Sequence, residues 1–346
     1  MSRQIKRPFD ELIEALRDPN PLLQADAARL LGDLADPRAV DPLVEYVTHS
    51  RYNTKTAGIE ALRRIGEPRA TAAIRPLVDA PNVQDDWYWY ARRSVRAAAA
   101  LLLLHWNDRT GLPFLESLAD SGNLVFHTWY APSVLRLPDQ PPSAVQLKSR
   151  LTPATLLGEE GPAASPTDPA QVVMVAEALE VLGDAESCVR LIKLLEHRSR
   201  YVRGRSATAL LAVAPVEDHI DRVTRCFKTD PTDFARVKAA LALARTGHSE
   251  GARFLADAGG SLADSFDRAV AIEALGELGR PEHADVARSG LTHADSYVRL
   301  VSLEALARMD AREAGNTAVR MLEDPSPRVR LQAAAQLASQ SGINGS

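Results

Sequence analysis

The sequence predicts an all-α protein, a right-handed α-solenoid of about nine similar helical hairpins. Three observations lead to this fold class. An arginine followed seven positions later by a leucine recurs at intervals of 31 to 33 residues. A shorter segment precedes each of these, with apolar residues every three or four positions, which is the period of an amphipathic helix. No stretch shows the alternation of apolar and polar residues that is typical of a strand.

The arginine and leucine mark the second, inner helix of each hairpin. Five segments carry both residues, in the pairs Arg203 and Leu210, Arg236 and Leu243, Arg268 and Leu275, Arg299 and Leu306, and Arg330 and Leu337. Four earlier segments keep only the leucine, at Leu30, Leu62, Leu101 and Leu179. One hairpin cannot bury its apolar face alone, whereas stacked neighbours share a continuous core. The nine hairpins are therefore expected to form one array over residues 1–346.

Two intervals exceed one repeat and predict insertions. The steps from Leu62 to Leu101 and from Leu101 to Leu179 are 39 and 78 residues. We place a short aromatic insertion at 81–90 and a long proline-rich insertion at 121–169, between the two helices of the fourth hairpin. Asp-Pro pairs mark several turns between helices, and the Gly259-Gly260 pair is also expected to form a turn.

The inner-helix pattern of Val-Arg, Ala-Ala and Leu-Gly, with Asp-Pro turns and units of about 31 residues, resembles the HEAT-like repeats of phycobilin lyase subunits. The resemblance implies the fold more than a function, because such repeats also serve scaffolds, hydroxylases and DNA glycosylases. HEAT-repeat deoxyhypusine hydroxylases hold a di-iron centre with His-Glu dipeptides, and this chain contains none. Glu196-His197 and Glu282-His283 have the reversed order and lie in separate repeats, so we expect no metal.

Composition and motifs narrow the function classes. A net charge of -4 and a pI near 6.1 argue against a surface tuned for nucleic acid. Cys188 and Cys226 lack the spacing of a zinc site, and we expect both to be reduced thiols. No phosphate loop, dinucleotide fingerprint or catalytic triad is recognisable, so no cofactor is expected. The N-terminal segment lacks a secretory signal and the longest apolar run, 97–104, is too short for a bilayer, which predicts a cytoplasmic protein without a membrane partner.

The five repeated arginines have two interpretations. They could line a groove that binds an anion, or they could hold the turns between helices. An aspartate stands just upstream in several repeats, at Asp230, Asp264, Asp295 and Asp324. That spacing favours turn capping and ion pairs within or between repeats.

Aromatic residues concentrate where the repeat does not require them. Half of the chain's 18 aromatic residues lie between positions 87 and 130. The rings could pack the insertions onto the solenoid, or they could form a recognition surface, since Trp, Tyr and Arg dominate binding hot spots. The candidate partner-binding residues are Trp87, Tyr88, Trp89, Tyr90, Arg92, Arg93, Arg96, His105, Phe126, His127, Trp129 and Tyr130.

Three functions remain open. The first is a non-enzymatic scaffold that holds a peptide or protein partner in its concave groove near these aromatics. The second is an enzyme or lyase-like accessory subunit that acts on a planar small molecule. The third is a HEAT-like DNA glycosylase, which the acidic charge balance disfavours.

Overall fold

The computed structural model describes residues 8–50, 52–79, 89–120, 129–139, 142–160 and 165–343. Side chains are described throughout these ranges except at 52, 53, 89–93, 143 and 341–343. The described residues form helices joined by short turns and contain no strand. The predicted all-α solenoid class is therefore confirmed.

All nine inner helices predicted from the leucine spacing are present among the described residues. They are α2 (Pro21–Leu34), α4 (Tyr52–Ile65), α6 (Trp89–His105), α11 (Pro169–Leu182), α13 (Arg200–Val213), α15 (Asp233–Arg245), α17 (Ser265–Leu278), α19 (Ser296–Met309) and α21 (Pro327–Ile343). Aspartate or asparagine caps begin several of them, as Asp264 does by accepting a hydrogen bond from the Asp267 amide at 2.9 Å. Such caps satisfy amides that the first helical turn leaves unpaired.

Each inner helix follows a shorter outer helix, as the sequence predicts. The outer helices are α1 (Pro8–Ala15), α3 (Val40–His49), α5 (Thr71–Val78), α7 (Leu112–Asp120), α12 (Ala185–Leu194), α14 (Glu217–Thr229), α16 (Ser249–Ser261), α18 (Ala284–Gly290) and α20 (Ala311–Met321). Between α7 and α11 lie three short helices, α8 (Ala131–Leu135), α9 (Pro142–Ser149) and α10 (Pro153–Leu156). The long insertion thus contains helices of its own.

The predicted turn at Gly259-Gly260 is wrong. Helix α16 continues through both glycines to Ser261. A Cβ atom at Gly259 would lie 2.8 Å from Cγ1 of Val286 and 3.2 Å from Cγ1 of Ile272. Glycine is needed here because α16 packs closely on its neighbours, and the chain does not turn.

The chain divides into two compact units. Unit 1 comprises Met1–Glu116, Leu137–Ser143 and Arg312–Ser346, and unit 2 comprises Ser117–Arg136 and Ala144–Ala311. Each unit is described by itself below.

In unit 2 the inner helices pack side by side in chain order, α11 on α13, α13 on α15, α15 on α17 and α17 on α19. Alanines and one glycine allow this close approach, as at Gly276, where a Cβ atom would lie 2.7 Å from Cα of Ala305. Helix α8 of the insertion packs on α11. The buried core of unit 2 is a repeated layer of leucine, valine and alanine side chains.

In unit 1 helices α2, α4 and α6 pack in the same order, and the C-terminal helix α21 packs against α1 and α2. Arg328 of α21 forms a bidentate ion pair with Asp26 of α2, at 2.5 and 3.1 Å. The first and last inner helices of the chain are therefore direct neighbours. This contact joins residues 302 positions apart in the sequence.

The repeated arginines hold the turns between outer and inner helices, which confirms the structural interpretation. Each donates a hydrogen bond to a backbone carbonyl at the end of the preceding outer helix or turn, over 2.8 to 3.3 Å. The pairs are Arg203 to His197, Arg236 to Phe227, Arg268 to Gly259, Arg299 to His293 and Arg330 to Asp324. We call this register the clamp position.

Two earlier repeats fill the clamp position with other residues. Lys55 donates from Nζ to the Thr48 carbonyl at 2.9 Å, and Gln24 donates from Nε2 to the Asp18 carbonyl at 2.8 Å. Gln24 lies seven residues before Leu31, so the leucine in register in α2 is Leu31 and not the predicted Leu30. The same 29-residue step links Gly32 to Ala61 and Gly276 to Ala305 in close contact, which supports this correction.

Candidate functional site: an aromatic ladder on unit 2

Four aromatic rings form a ladder across consecutive repeats of unit 2. Tyr201, Phe234, Phe266 and Tyr297 are each the second residue of an inner helix, in α13, α15, α17 and α19. The ring centroids of Tyr201 and Phe234 lie 4.8 Å apart, edge to face. Phe234 and Phe266 are 6.1 Å apart and nearly parallel, and Phe266 and Tyr297 are 6.3 Å apart and nearly parallel. These separations fall within the range of interacting aromatic pairs.

Two rings of the aromatic ladder are open to solvent. Tyr201 is 44% exposed and Phe266 is 41% exposed, whereas Phe234 between them is buried. Burying a large apolar side chain stabilises a protein by about 1.5–3 kcal/mol, and a half-exposed ring forgoes part of that. A contiguous row of partly exposed rings is the kind of surface that marks an interaction site.

The guanidinium of Arg200 lies over three rungs of the ladder. Its Cζ atom is 5.0 Å from the ring centroid of Tyr201, 5.6 Å from that of Phe234 and 5.9 Å from that of Phe266. These distances suit cation–π attraction, in which the negative ring face attracts the cation. Its Nη2 atom also donates a hydrogen bond to the Tyr201 hydroxyl at 3.1 Å.

Asp267 supplies a buried carboxylate beside the rings. It follows Phe266 in α17, and its two oxygens lie 3.3 and 3.5 Å from Nη1 of Arg200. Burial raises the pKa of the Asp267 carboxyl; the positive charge of Arg200 opposes this, while the negative charges of Asp264 and Asp233 add to it. The ladder therefore carries more negative than positive charge at its centre.

Asp267 departs from the repeat pattern at its own register. The equivalent residues, one before each clamp arginine, are Val202, Ala235, Val298 and Val329, all fully buried. A carboxylate in this layer costs desolvation that an aliphatic side chain does not. The fold does not require an acid here, so Asp267 is a candidate functional residue.

The sequence analysis missed this site, although two regular signals mark it. The ladder residues recur at steps of 33, 32 and 31, the same steps as the repeat leucines. Each lies two residues before a clamp arginine. The acid of Asp267-Arg268 also stands where the other repeats have valine or alanine. Comparing equivalent positions, instead of local aromatic density, finds both.

The predicted site at 87–130 is only partly described. Trp87, Tyr88, Phe126 and His127 lie outside the described residues. Trp89, Tyr90, Arg92 and Arg93 belong to the first turns of α6, and their side chains are outside the description. The remaining four residues are divided between the units, with Arg96 and His105 in unit 1 and Trp129 and Tyr130 in unit 2.

Within unit 1, Arg96 is a packed side chain. Its Cζ atom lies 4.1 Å from the ring centroid of Phe114, and its buried Nε has no hydrogen-bond partner. Desolvation lowers the pKa of Arg96 despite the charge of Asp79. Desolvation, together with the charge of Arg63, also lowers the pKa of His105, which favours a neutral imidazole. Within unit 2, Trp129 is 39% exposed and Tyr130 is half-buried just before α8.

The cysteines do not offer a reactive thiol. Burial raises the pKa of Cys188, and burial with the nearby charge of Asp230 raises the pKa of Cys226 to about 12. Cys226 lines a surface cavity of about 260 Å³ with Arg222 and Arg225, but a thiol with this pKa stays protonated at neutral pH. In the described part of the chain, no group of three or more His, Cys, Asp or Glu is arranged to hold a metal ion. No helix there is long and apolar enough to cross a bilayer.

Comparison with known proteins identifies the repeat. The sequence profile of HEAT repeats matches residues 9–89, 188–276 and 262–339, which is more than half of the chain. No curated protein is detectably similar in sequence.

Several solved structures share a weak structural likeness. Human deoxyhypusine hydroxylase in complex with glycerol is 18% identical, with 88% of this chain and 96% of that chain covered and a TM-score of 0.35. The complex of CpcE and CpcF of phycocyanin lyase from Nostoc sp. PCC7120 is 18% identical, with 89% and 96% covered and a TM-score of 0.35. Kap121p is 14% identical, with 96% and 41% covered and a TM-score of 0.38. At these scores the likeness supports no functional inference.

Proposed function

The chain belongs to the HEAT-repeat family, and from that premise we propose that it is a non-enzymatic binding protein whose aromatic ladder contacts a protein or peptide partner. The observation that carries this proposal is the exposure of Tyr201 and Phe266 in a row of four rings. A partner that covers these rings would recover the hydrophobic free energy that the free protein forgoes.

The geometry suits binding rather than catalysis. The ladder holds rings, one guanidinium and a carboxylate whose oxygens already face that guanidinium. A general base needs an acceptor placed toward a reacting proton, and a nucleophile needs an activating base beside it. Neither arrangement occurs among the ladder residues. The carboxylates Asp233, Asp264 and Asp267 would also repel a phosphate backbone, which disfavours the glycosylase alternative.

The test is partner affinity in a ladder variant, Tyr201→Ala with Phe266→Ala. Partners are first captured from the host with the tagged full-length chain and then purified, so that the dissociation constant can be measured by calorimetry. We expect the ladder variant to weaken binding by about 30-fold, which corresponds to a hot-spot loss of about 2 kcal/mol. Its melting temperature should stay close to that of the wild type, because the truncated rings are half-exposed.

The matched control is Leu22→Ala. Leu22 is 69% exposed and lies two residues before the clamp residue Gln24, so it occupies the ladder register of α2 in unit 1. We expect this variant to bind as the wild type does. Unchanged affinity in the ladder variant, or equal losses in both variants, contradicts the proposal. Trp129→Ala, measured in parallel, tests the earlier prediction of a surface at 87–130.

A planar small molecule is a second candidate ligand. The rings of Phe234 and Phe266 are inclined by 8°, and those of Phe266 and Tyr297 by 13°, which favours stacking of a flat group. The sequence resemblance to phycobilin lyase subunits is consistent with such a ligand. A coloured or fluorescent molecule that co-purifies with the wild type, and is lost from the ladder variant, would favour this reading.

A further inference from the structure

We propose that the aromatic ladder binds a positively charged side chain of the partner, an arginine or a lysine, and that Arg200 occupies this site in the free protein. The inference rests on the proposed function, because it specifies the chemistry of a partner bound at the same rings. Four observations carry it: the placement of Arg200, the looseness of its contacts, the charge around it and the anomalous acid at Asp267.

Arg200 shows what the site accepts. A guanidinium already lies within 6 Å of three ring centroids and beside the carboxylate of Asp267. Aromatic faces joined to a carboxylate are complementary to a cation, and the planar guanidinium also stacks on rings. The same atoms would therefore recognise a guanidinium or ammonium group that a partner supplies.

Arg200 is held loosely compared with a clamp arginine of the same unit. Its contacts to Asp267 are 3.3 and 3.5 Å long, and its side chain is 33% exposed. Arg203 contacts Asp230 at 2.6 and 2.8 Å, and its side chain is 12% exposed. Charge-assisted hydrogen bonds of good geometry measure about 2.7–2.9 Å. The Arg200 pair is thus a weak internal contact that a competing cation can replace.

The charge balance selects a cation over an anion. Asp233, Asp264 and Asp267 face the site, and Arg236 contacts Asp233 at 3.2 Å. With Arg200 displaced, three carboxylates face one remaining guanidinium. An anionic ligand would instead have to draw Arg200 away from Asp267 and leave a buried carboxylate without a partner, which is strongly unfavourable.

Asp267 is explained by this role. The equivalent positions hold Val202, Val298 and Val329, so an aliphatic residue serves the packing. Buried ion pairs contribute little net stability relative to well-packed apolar residues. A buried carboxylate at this register is therefore the countercharge for a cation, and Arg200 supplies that cation when no partner is bound.

The experiment uses three fluorescein-labelled peptides of equal length, in which glycine and serine flank two arginines, two lysines or two glutamates. Binding to the full chain is measured by fluorescence anisotropy into the millimolar range. We expect the arginine and lysine peptides to bind and the glutamate peptide not to bind. Arg200→Gln should tighten binding of the arginine peptide severalfold, because it removes the internal competitor. Asp267→Asn should weaken it by about tenfold, which corresponds to 1.4 kcal/mol.

Asp267→Val is the second variant, since it restores the residue type of Val298 and is expected to fold. Weaker arginine-peptide binding in this variant, with an undiminished melting temperature, assigns the loss to the missing carboxylate. Leu22→Ala is again the unaffected control. Binding of the glutamate peptide that Arg200→Gln abolishes would overturn the inference, as would equal affinity for all three peptides or no binding of the arginine peptide to the Arg200→Gln variant.

The purified partner separates failure of this inference from failure of the proposed function. If the ladder variant weakens the partner but Asp267→Asn and Arg200→Gln leave its affinity unchanged, the inference is wrong and the binding function stands. If the ladder variant does not weaken the partner, the proposed function is itself wrong.

Discussion

The same register serves different ends in the two units. Two residues before the clamp position, unit 1 carries Leu22 in α2, Asn53 in α4 and Arg328 in α21, and Arg328 is paired with Asp26. Unit 2 carries an aromatic residue at this register in four consecutive inner helices. The clamp position itself is occupied in both units by a side chain that donates to the preceding backbone.

The comparison separates what the fold needs from what it does not. The clamp recurs with glutamine, lysine or arginine, because any long donor can satisfy carbonyls that a helix end leaves unpaired. The neighbouring register has no such demand, since leucine, asparagine, arginine and aromatic residues all occur there. An unbroken run of rings at a register that the fold leaves free is therefore a functional signal.

The largest expected effect concerns the clamp in unit 2. Arg203→Ala removes the partner of Asp230, whose side chain is only 4% exposed. An uncompensated buried carboxylate should lower the free energy of unfolding by about 3–5 kcal/mol, measured by urea denaturation. Gln24→Ala in unit 1 removes an uncharged clamp and should cost about 1 kcal/mol.

Arg222→Ala is the control within unit 2. Its ion pair with Asp218 is solvent-exposed and four residues apart on one helix, so the loss should be at most about 0.5 kcal/mol. A loss below about 1 kcal/mol for Arg203→Ala would show that the clamp is dispensable and would remove one side of the comparison.

The sequence predicts the parts of this molecule that repeat. Inner and outer helices follow from periodicity because each hairpin buries the same stripe of residues, and the predicted helix ends lie close to the observed ones. The contact of α21 with α1 and α2 was not predicted, because it joins distant segments and no pattern encodes it. The aromatic ladder was predictable in principle, but the dense aromatics at 87–130 drew attention from four single residues in register.

An intermediate effect concerns Asp267, which distinguishes α17 from the other ladder helices. Asp267→Val should raise the free energy of unfolding at neutral pH by about 1 kcal/mol, because a buried ion pair is often less stabilising than an apolar side chain. Burial raises the pKa of Asp267, so the folded protein holds this proton more tightly than the unfolded chain. The penalty of the charged form is therefore present above the folded pKa and absent below the ordinary carboxyl pKa of about 3.9.

The advantage of Asp267→Val should accordingly shrink as the pH falls toward that value. Chemical denaturation of both proteins at a series of pH values measures it. Val298→Ala, a truncation at the same register in α19, is the control and should cost stability by a similar amount at every pH. An advantage that grows on acidification would mean that the Arg200 pair stabilises the fold, and Asp267 would then resemble a clamp residue.

The smallest effect concerns the ion pair of Arg328 with Asp26 in unit 1. The Arg328 side chain is 47% exposed, so water and salt screen the attraction even though the contact is bidentate. A double-mutant cycle with Arg328→Ala and Asp26→Ala should give a coupling energy of about 0.2–1 kcal/mol, and this should fall in 1 M salt. The cycle is the right measurement because it cancels other contacts of either residue. A small coupling means that apolar packing of α21 on α1 and α2 holds this neighbourhood together, with charge at its edge. A coupling above about 2 kcal/mol would instead make the ladder register of unit 1 structural in its own right, and an occupied register there could no longer serve as the neutral reference for the exposed rings of unit 2.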